Sequence, residues 1–395
     1  MIARLLNYRE LRRRIEKNGA AKTGKQLRES LQKKELAPDD FSLRELAEAF
    51  MSREWVQDLH PKSGGRRAIR EAAGDAVAFS QFSNITGQIV FSAIKEAYDD
   101  EEFVFSQVVP TRPTSLLDVE KIPGISNIGD EFQTVSEAAE YPMVGMSEDY
   151  IEVAAKLKRG AIIAVTKEAI FTDKTGVLLE RAKKLGWWLG FNREKRLVDL
   201  VIDENTGAAS VTAGGHRYHW KGTSYATYQT STPWNNVTTS NALANWTNID
   251  TSWKLLAAMT DPYTGEPIMV QPTTIIVTPD LFHTARYVTS ATEVRNQTNL
   301  AAGNTNRETL SPSPIENYRI LMSRLLKSRA ATDTDWWFGC PEKAFAYFSA
   351  WDLTTEEAPA NSREAFFRDI TFQFKASESG AAATLEPRLM TENRA

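Results

Sequence analysis

The chain has 395 residues, of which 42% are hydrophobic and 25% charged, with a net charge of -4 and one cysteine. That composition is ordinary for a soluble globular protein, long enough for two or three domains or one elaborated one, and its charge argues against a dedicated nucleic-acid binder. No apolar run reaches the roughly 18 residues of a membrane span, the N-terminus is too charged for a secretory signal, and the single Cys340 excludes an internal disulfide and fits a reducing compartment.

Residues 1–60 read as helical and polar, with a basic run that includes Arg4, Arg9, Arg12, Arg13, Arg14 and Lys17. The apolar stripe is too thin for an independent core, so the segment must lie on something else or remain mobile. Ser42 and Glu45 form a Ser-x-x-Glu capping box ahead of Leu46, Ala49 and Phe50. "HPKSGGRR" reads as a linker, and "ITGQIVFSAIKEAYDD" as a helix. "FVFSQVVPTRPT" and "SLLDVEKIPGIS" read as β-like pieces broken by proline.

A long two-stranded excursion follows, with Tyr141, Pro142 and Gly145 marking its tip. Its returning arm alternates through Tyr150, Glu152, Ala154, Lys156 and Lys158. Isolated hairpins are marginal in water, and the polar sides of this one call for a surface on another subunit.

Residues 173–202 read as one helix of about 28 residues, roughly 42 Å long. Ordinary globular helices average about 11–12 residues. Trp187 and Trp188 sit at its middle, about 100° apart on the helix, so one is expected to face a sheet and the other a lateral element. Residues 205–245 suggest short strands and turns. Beyond them "IDTSWKLLAAMTDP" reads as a helix stopped at Pro262, "TTIIVTP" as a buried strand, and "PDLFHTARYVTSA" as a helix with Pro279 at its first turn. "NQTNLAAGNTNRETLSPSP" reads as a long polar loop. "YRILMSRLL", "DWWFGCPEKAFAYFSAW" and "FRDITFQFKASESG" read as strands. The ten tryptophans hint at extensive interfaces.

Catalytic chemistry is hard to find. His216 and His219 have H-x-x-H spacing, but in a strand they point to opposite faces and no third ligand is nearby. They read as surface or interface histidines, while His60 and His283 read as structural. Cys340 lies between aromatics and reads as a buried, inert thiol. Phosphate-loop, dinucleotide-binding and nucleophile-elbow motifs are missing. Asn-x-Thr triplets at Asn84, Asn236 and Asn245 carry little meaning, because nothing indicates secretion. The basic N-terminal run reads in two ways: as a sequence-independent phosphate contact, or as a solvated amphipathic helix laced by i,i+4 pairs.

The order of pieces and several stretches together resemble the major capsid proteins of tailed bacteriophages, which have the Hong Kong 97-type fold. "FSNITGQIVFSAIKEAY" resembles the end of an N-terminal arm. "EKIPGISNIGDEFQTVSEAAEYPMVGMSEDYIEVAAKLKRGAIIAVTKEAIFTDKTG" resembles an extended loop and its return, and "LLERAKKLGWWLGFNREKRLVDLVI" a spine helix. "YHWKGTSYATYQTSTPWNN", "DPYTGEPIMVQPTTIIVTP" and "CPEKAFAYFSAWDL" resemble later parts of the same proteins. The similarity covers roughly residues 40–390 and is weakest in the first 35 or so.

The resemblance implies an α+β Hong Kong 97-type capsid fold. Its expected segments are a helical N-terminal arm over 1–104, peripheral-domain strands and extended loop over 105–170 (loop about 126–165), and a spine helix over 171–204. A peripheral-domain hairpin region follows over 205–245, an axial domain over 246–365, and a closing peripheral-domain strand over 366–395. The implied function is that of a non-enzymatic major capsid protein, forming pentamers and hexamers of an icosahedral shell around double-stranded DNA. An encapsulin-like nanocompartment shell is the alternative. The implied partners are further copies of the chain, portal, scaffold and decoration proteins, and packaged DNA by non-specific contact. The resemblance implies neither a membrane nor a small-molecule substrate, and neither a cofactor nor a metal. Assembly in the host bacterial cytoplasm and residence in the virion capsid are expected.

The expected intersubunit loop residues are Glu137, Glu140, Tyr141, Pro142, Glu148, Asp149 and Tyr150. The expected spine residues are Arg181, Lys184, Trp187, Trp188, Arg193 and Arg196. The arm cations Arg4, Arg9, Arg12, Arg13, Arg14 and Lys17 are candidates to face DNA. Some members of this fold cross-link a loop lysine to a neighbouring asparagine. Here the tip from Glu137 to Asp149 has no lysine, so a non-cross-linked shell is expected. The N-terminal arm is separately expected to be retained, on the inner or lateral side of the shell. The acidic loop is expected to dock on the basic spine or arm of a neighbour.

Overall fold

The computed structural model describes residues 8–40, 42–51, 76–123, 134–137, 140, 150–172, 174–203, 218–231, 233–261, 265–291, 293–298, 307–312, 318–357 and 370–395. The N-terminal helices are α1 (Tyr8–Asn18), α2 (Ala20–Gln32), α3 (Leu43–Phe50), α4 (Ala76–Tyr98) and α5 (Val104–Val108). Strands β1 (Thr111–Pro113), β2 (Glu120–Pro123), β3 (Tyr150–Val153) and β4 (Leu157–Thr166) lead to α6 (Lys167–Phe171) and the long α7 (Thr175–Ile202). Short strands follow: β5 (Tyr218–Trp220), β6 (Thr223–Tyr225), β7 (Thr230–Ser231), β8 (Trp234–Asn235) and β9 (Val237–Thr238). The α/β region holds α8 (Trp246–Ala257), β10 (Thr274–Val277), α9 (Phe282–Ser290), β11 (Glu293–Thr298), β12 (Arg307–Pro312), β13 (Arg319–Met322), α10 (Arg324–Arg329), β14 (Trp336–Gly339) and α11 (Pro341–Ala344). Strands β15 (Phe345–Glu357), β16 (Ile370–Thr384) and β17 (Met390–Asn393) close the chain.

Two compact units divide these elements. The first comprises 1–102, 158–192 and 351–379, and the second 103–157, 193–350 and 380–395. The arm belongs to the first unit, and the spine helix and the C-terminal strand each contribute to both. The physical reason is length: 28- and 15-residue elements outrun any one compact core.

The first unit is built around α4. Leu27 and Leu31 of α2, with Leu43, Leu46 and Phe50 of α3, bury their apolar stripe in one core. Phe82, Ile85, Ile89 and Ile94 of α4 and Leu178, Leu179 and Ala182 of α7 complete it. Each fully buried Leu or Ile contributes roughly 1.5–3 kcal/mol, so a stripe too thin to fold alone is held by what it covers. The arm therefore lies on something, which decides between the two sequence readings. Ser42 caps α3 as expected, accepting the Glu45 N–H at 3.2 Å. The crossing of α4 and α7 is close because Gly186 has no side chain: a Cβ there would stand 2.1 Å from the Ile94 carbonyl oxygen.

The second unit contains a five-stranded sheet in the order β13-β10-β14-β17-β9. Strand β10 runs parallel to β13 and antiparallel to β14. Ile275 and Val277 pack with Trp336 and Phe338 toward α8 and α9 residues such as Ile249, Leu256 and Val288. Ile276 and Trp337 pack on the other side with Leu197, Val198 and Val201 of α7. This is the alternation of a sheet covered on both faces. A second sheet runs β2-β3-β5-β6. Its β5–β6 turn, Lys221-Gly222, has φ of 51° and 75°, the two positive values of a type I′ hairpin.

Several expectations need correction. Residues 104–108 form α5 rather than a β-like piece, because Glu194 of α7 accepts the Phe105 and Ser106 N–H groups at 2.8 and 2.9 Å. A buried carboxylate at the helix N-terminus outweighs local β propensity. "YRILMSRLL" is strand β13 followed by α10, which starts where the Ser323 hydroxyl accepts the Leu325 N–H. The expected polar loop after α9 contains the antiparallel pair β11–β12, from Glu293↔Pro312 to Thr298↔Arg307. Helix α8 ends at Ala257, ahead of Pro262, as the chain turns into the Thr260↔Pro267 bridge. Strand β17 was not expected.

Candidate assembly surfaces

The strands on either side of the expected excursion, β2 and β3, pair with each other in the second unit. Pro123 is the register partner of Tyr150, and Glu120 that of Val153, so residues 124–149 start and finish at one point. Tyr150, expected in the loop, instead belongs to the central strand β3 of the four-stranded sheet. Its carbonyl accepts the Lys221 N–H at 3.1 Å, and the Lys121 ammonium lies 4.2 Å from its ring centre. Ile151 beside it packs on Tyr218 and Trp234. The chain's own β5–β6 hairpin thus supports the base of the excursion. Glu137 and Glu140 are exposed. Tyr141, Pro142, Glu148 and Asp149 lie outside the described residues.

Lys156 was expected on the returning arm, but it is buried. Its ammonium donates to Glu120 Oε2 at 2.7 Å and to the Asp118 carbonyl at 3.3 Å, with none of its side chain exposed. That ammonium holds the Glu120 carboxyl below the usual range, against a smaller opposing effect of burial.

The spine helix separates its cations by use. In the first unit Lys183 binds Asp39 at 2.6 Å and Lys184 binds Glu180 at 2.8 Å, while Arg181 is exposed. Trp187 stacks on Phe191 at 4.8 Å, and Trp188 meets both edge-on. Trp188 remains 59% exposed. In the second unit, Arg193 and Arg196 serve internal contacts rather than an open docking face. Both lie over the Tyr347 ring, at 4.6 and 5.4 Å. Arg193 also donates to Thr111 Oγ1 at 2.7 Å, and Arg196 to the Tyr347 hydroxyl at 3.1 Å. Pattern reading could not find Tyr347, because Arg196 lies 151 positions away from it.

The arm cations Arg9, Arg12, Arg13 and Lys17 of α1 are exposed and Arg14 is half-buried, with Arg12 paired to Glu16 at 3.4 Å. Arg4 lies outside the described residues. The basic N-terminal segment therefore carries i,i+4 pairs of the kind the solvated-helix reading requires, Arg12–Glu16 and Lys25–Glu29, beside cations on the surface.

Glu194 was missed by the sequence reading. It is 1% exposed, and burial raises its carboxyl above the ordinary range despite the Phe105 and Ser106 hydrogen bonds. Cys340 is buried, with burial pushing its thiol up, which suits an inert packing residue. His219 is half-buried in β5, His283 is exposed, and His60 and His216 lie outside the described residues. Among the described residues, no three His, Cys, Asp or Glu side chains gather to hold a metal, and no helix is long and apolar enough to cross a membrane. Asn236 and Asn245 are committed elsewhere: the Asn236 amide donates to three buried carbonyls, and Asn245 caps α8.

The sequence matches the phage capsid protein family over residues 150–393. The chain belongs to that family. It is a structural, non-enzymatic shell protein of the virion capsid, with a mixed helix-and-sheet fold. Among curated proteins none matches the sequence. Three solved structures are similar in fold at low identity. The virus-like particle from Pyrococcus furiosus is 8% identical, with 77% of this chain and 98% of that one covered at a TM-score of 0.40. The capsid of the cyanophage P-SCSP1u is 14% identical over 74% and 87%, at 0.42. The holo-SrpI encapsulin of Synechococcus elongatus PCC 7942 is 9% identical over 75% and 87%, at 0.41.

Proposed function

We propose that this chain is the major head protein of a tailed phage, assembling as pentamers and hexamers into an icosahedral shell around double-stranded DNA. Membership of the phage capsid family carries the reading. The pairing of Pro123 with Tyr150 supports it, since it brings the two ends of residues 124–149 together on one braced sheet. In this reading the acidic side chains Glu137, Glu140, Glu148 and Asp149 dock on Arg181, Lys184 and the α1 cations of a neighbouring copy. Trp188 packs against a lateral copy. Arg4, Arg9, Arg12, Arg13, Arg14 and Lys17 line the inner side and meet DNA without sequence preference. The segments around α7 form the peripheral domain, and those around β10 form the axial domain at fivefold and sixfold centres. Portal, scaffold and decoration proteins complete the head, which assembles in the host bacterial cytoplasm.

Electron microscopy with mass determination of the full chain, expressed alone and with the neighbouring head genes, tests this. Closed shells or rings of five and six subunits are expected. A monomer under both conditions would refute the reading.

A further inference from the structure

The segment between β1 and β2, "TSLLDVE", holds large apolar side chains outward. Leu116 is 51% exposed, Leu117 51% and Val119 55%, and Leu157 beside Lys156 is 59% exposed. The Lys156 N–H to Leu117 carbonyl bond brings Leu157 to the loop of Leu116, Leu117 and Val119, so exposed apolar side chains from two segments gather, as they do at interaction sites.

This segment is held in place by its backbone. The Thr114 N–H donates to the Ser349 carbonyl at 2.8 Å, and the Lys156 N–H to the Leu117 carbonyl at 2.8 Å. Thr114 Oγ1 donates to Glu120 Oε2 at 2.8 Å and accepts the Leu116 N–H at 3.2 Å. Beneath it the Lys156 ammonium, wholly enclosed, ties the Asp118 carbonyl to the Glu120 carboxylate. Enclosing a lysine carries a desolvation cost that its partners must offset. Here its result is a fixed loop that keeps leucines in water, which is the arrangement of a preorganised contact.

Two exposed charges of opposite sign lie in the same stretch of chain, Arg112 in β1 and Asp118 between Leu117 and Val119. A surface that carries both a cation and an anion can be its own complement under a twofold rotation that sets Arg112 of each copy against Asp118 of the other. The patch also adjoins β2, from which residues 124–149 depart. We propose that Leu116, Leu117, Val119 and Leu157 form an isologous contact with the same patch of a second copy, steered by reciprocal Arg112–Asp118 pairs. The proposal rests on the shell reading and adds a specific surface to it.

The test uses shells of the full chain. Leu116→Ser with Leu117→Ser is expected to lower shell yield about tenfold, as loss of a central apolar anchor does. Arg112→Asp or Asp118→Arg alone should weaken shells, and the two together should restore them. A Leu117→Cys variant should form disulfide-linked dimers in oxidised shells, since the native Cys340 is buried. Circular dichroism of the dissociated subunits reports folding separately. Wild-type shells matched in yield by the serine variant, with no gain from the double charge swap and no disulfide-linked dimer of Leu117→Cys, would overturn this surface and leave the shell reading standing. Absence of wild-type shells, with the Leu117→Cys variant still forming disulfide-linked dimers as concentrated subunits, would instead count against the shell reading alone.

Discussion

Replacing Gly186 by alanine tests the helix crossing at the centre of the first unit. In a helix interior the exchange should gain about 1 kcal/mol, because alanine loses less backbone freedom on folding. Here the added Cβ would stand 2.1 Å from the Ile94 carbonyl oxygen and 2.9 Å from its carbon. Ordinary contact needs about 1 Å more, and a backbone carbonyl in α4 cannot rotate away. Overpacking of this kind costs typically about 1–3 kcal/mol and occasionally more. A contact with backbone belongs at the upper end, so a net loss of about 2 kcal/mol is expected, or a fall of about 4–8 °C in Tm at roughly 2–4 °C per kcal/mol. Gly176 supplies the control: it is exposed in the first turn of the same helix, with nothing within 4 Å of an added Cβ. Gly176→Ala should be neutral or stabilising by about 0.5 kcal/mol. Urea unfolding of dissociated subunits, followed by helical circular dichroism, measures both. A Gly186→Ala variant as stable as Gly176→Ala would refute the close crossing.

Other outcomes follow from charges. Burial raises the Glu194 carboxyl in the folded chain, so the folded state binds its proton more tightly than the unfolded state. Its contribution to stability is therefore fully present below the ordinary carboxylate range and is lost as pH rises through the folded value. Denaturant midpoints of Glu194→Gln should lack that part of the pH slope; identical slopes in both proteins would contradict it. Lys156→Met removes the cation that lowers Glu120, and should destabilise the second unit by about 1–3 kcal/mol, as judged by urea unfolding. Shells held by acidic loops on basic surfaces should dissociate at lower denaturant in about 1 M salt than in about 0.05 M, where screening is weak. An unchanged midpoint would count against that docking. Boiled shells should run as one monomer band on a denaturing gel, because the loop tip carries no lysine; a high-mass ladder would contradict this.

The long helix was legible because its cause is local: apolar residues recur at helical spacing from Leu178 to Ile202 without proline, and the structure has one helix over Thr175–Ile202. The Ser42 cap and buried strand β10 were legible for the same reason, since each depends on a few adjacent residues. Helix α5 was not legible, because its N-terminus is satisfied by Glu194, 89 positions away from Phe105. The uses of the spine cations were hidden likewise: Arg193 and Arg196 carry the same signal as Arg181, and only Tyr347 tells them apart. Lys156 reads from its alternation as a solvated strand residue, yet it sits under the loop of Leu116 and Leu117. Periodicity and capping act between neighbours in sequence, so the sequence by itself determined the elements and, through its likeness to capsid proteins, the class. Burial and ion pairing depend on which distant side chains the fold brings within a few ångströms, so only the tertiary structure decided which charges are spent inside the chain and which stay exposed on its surface.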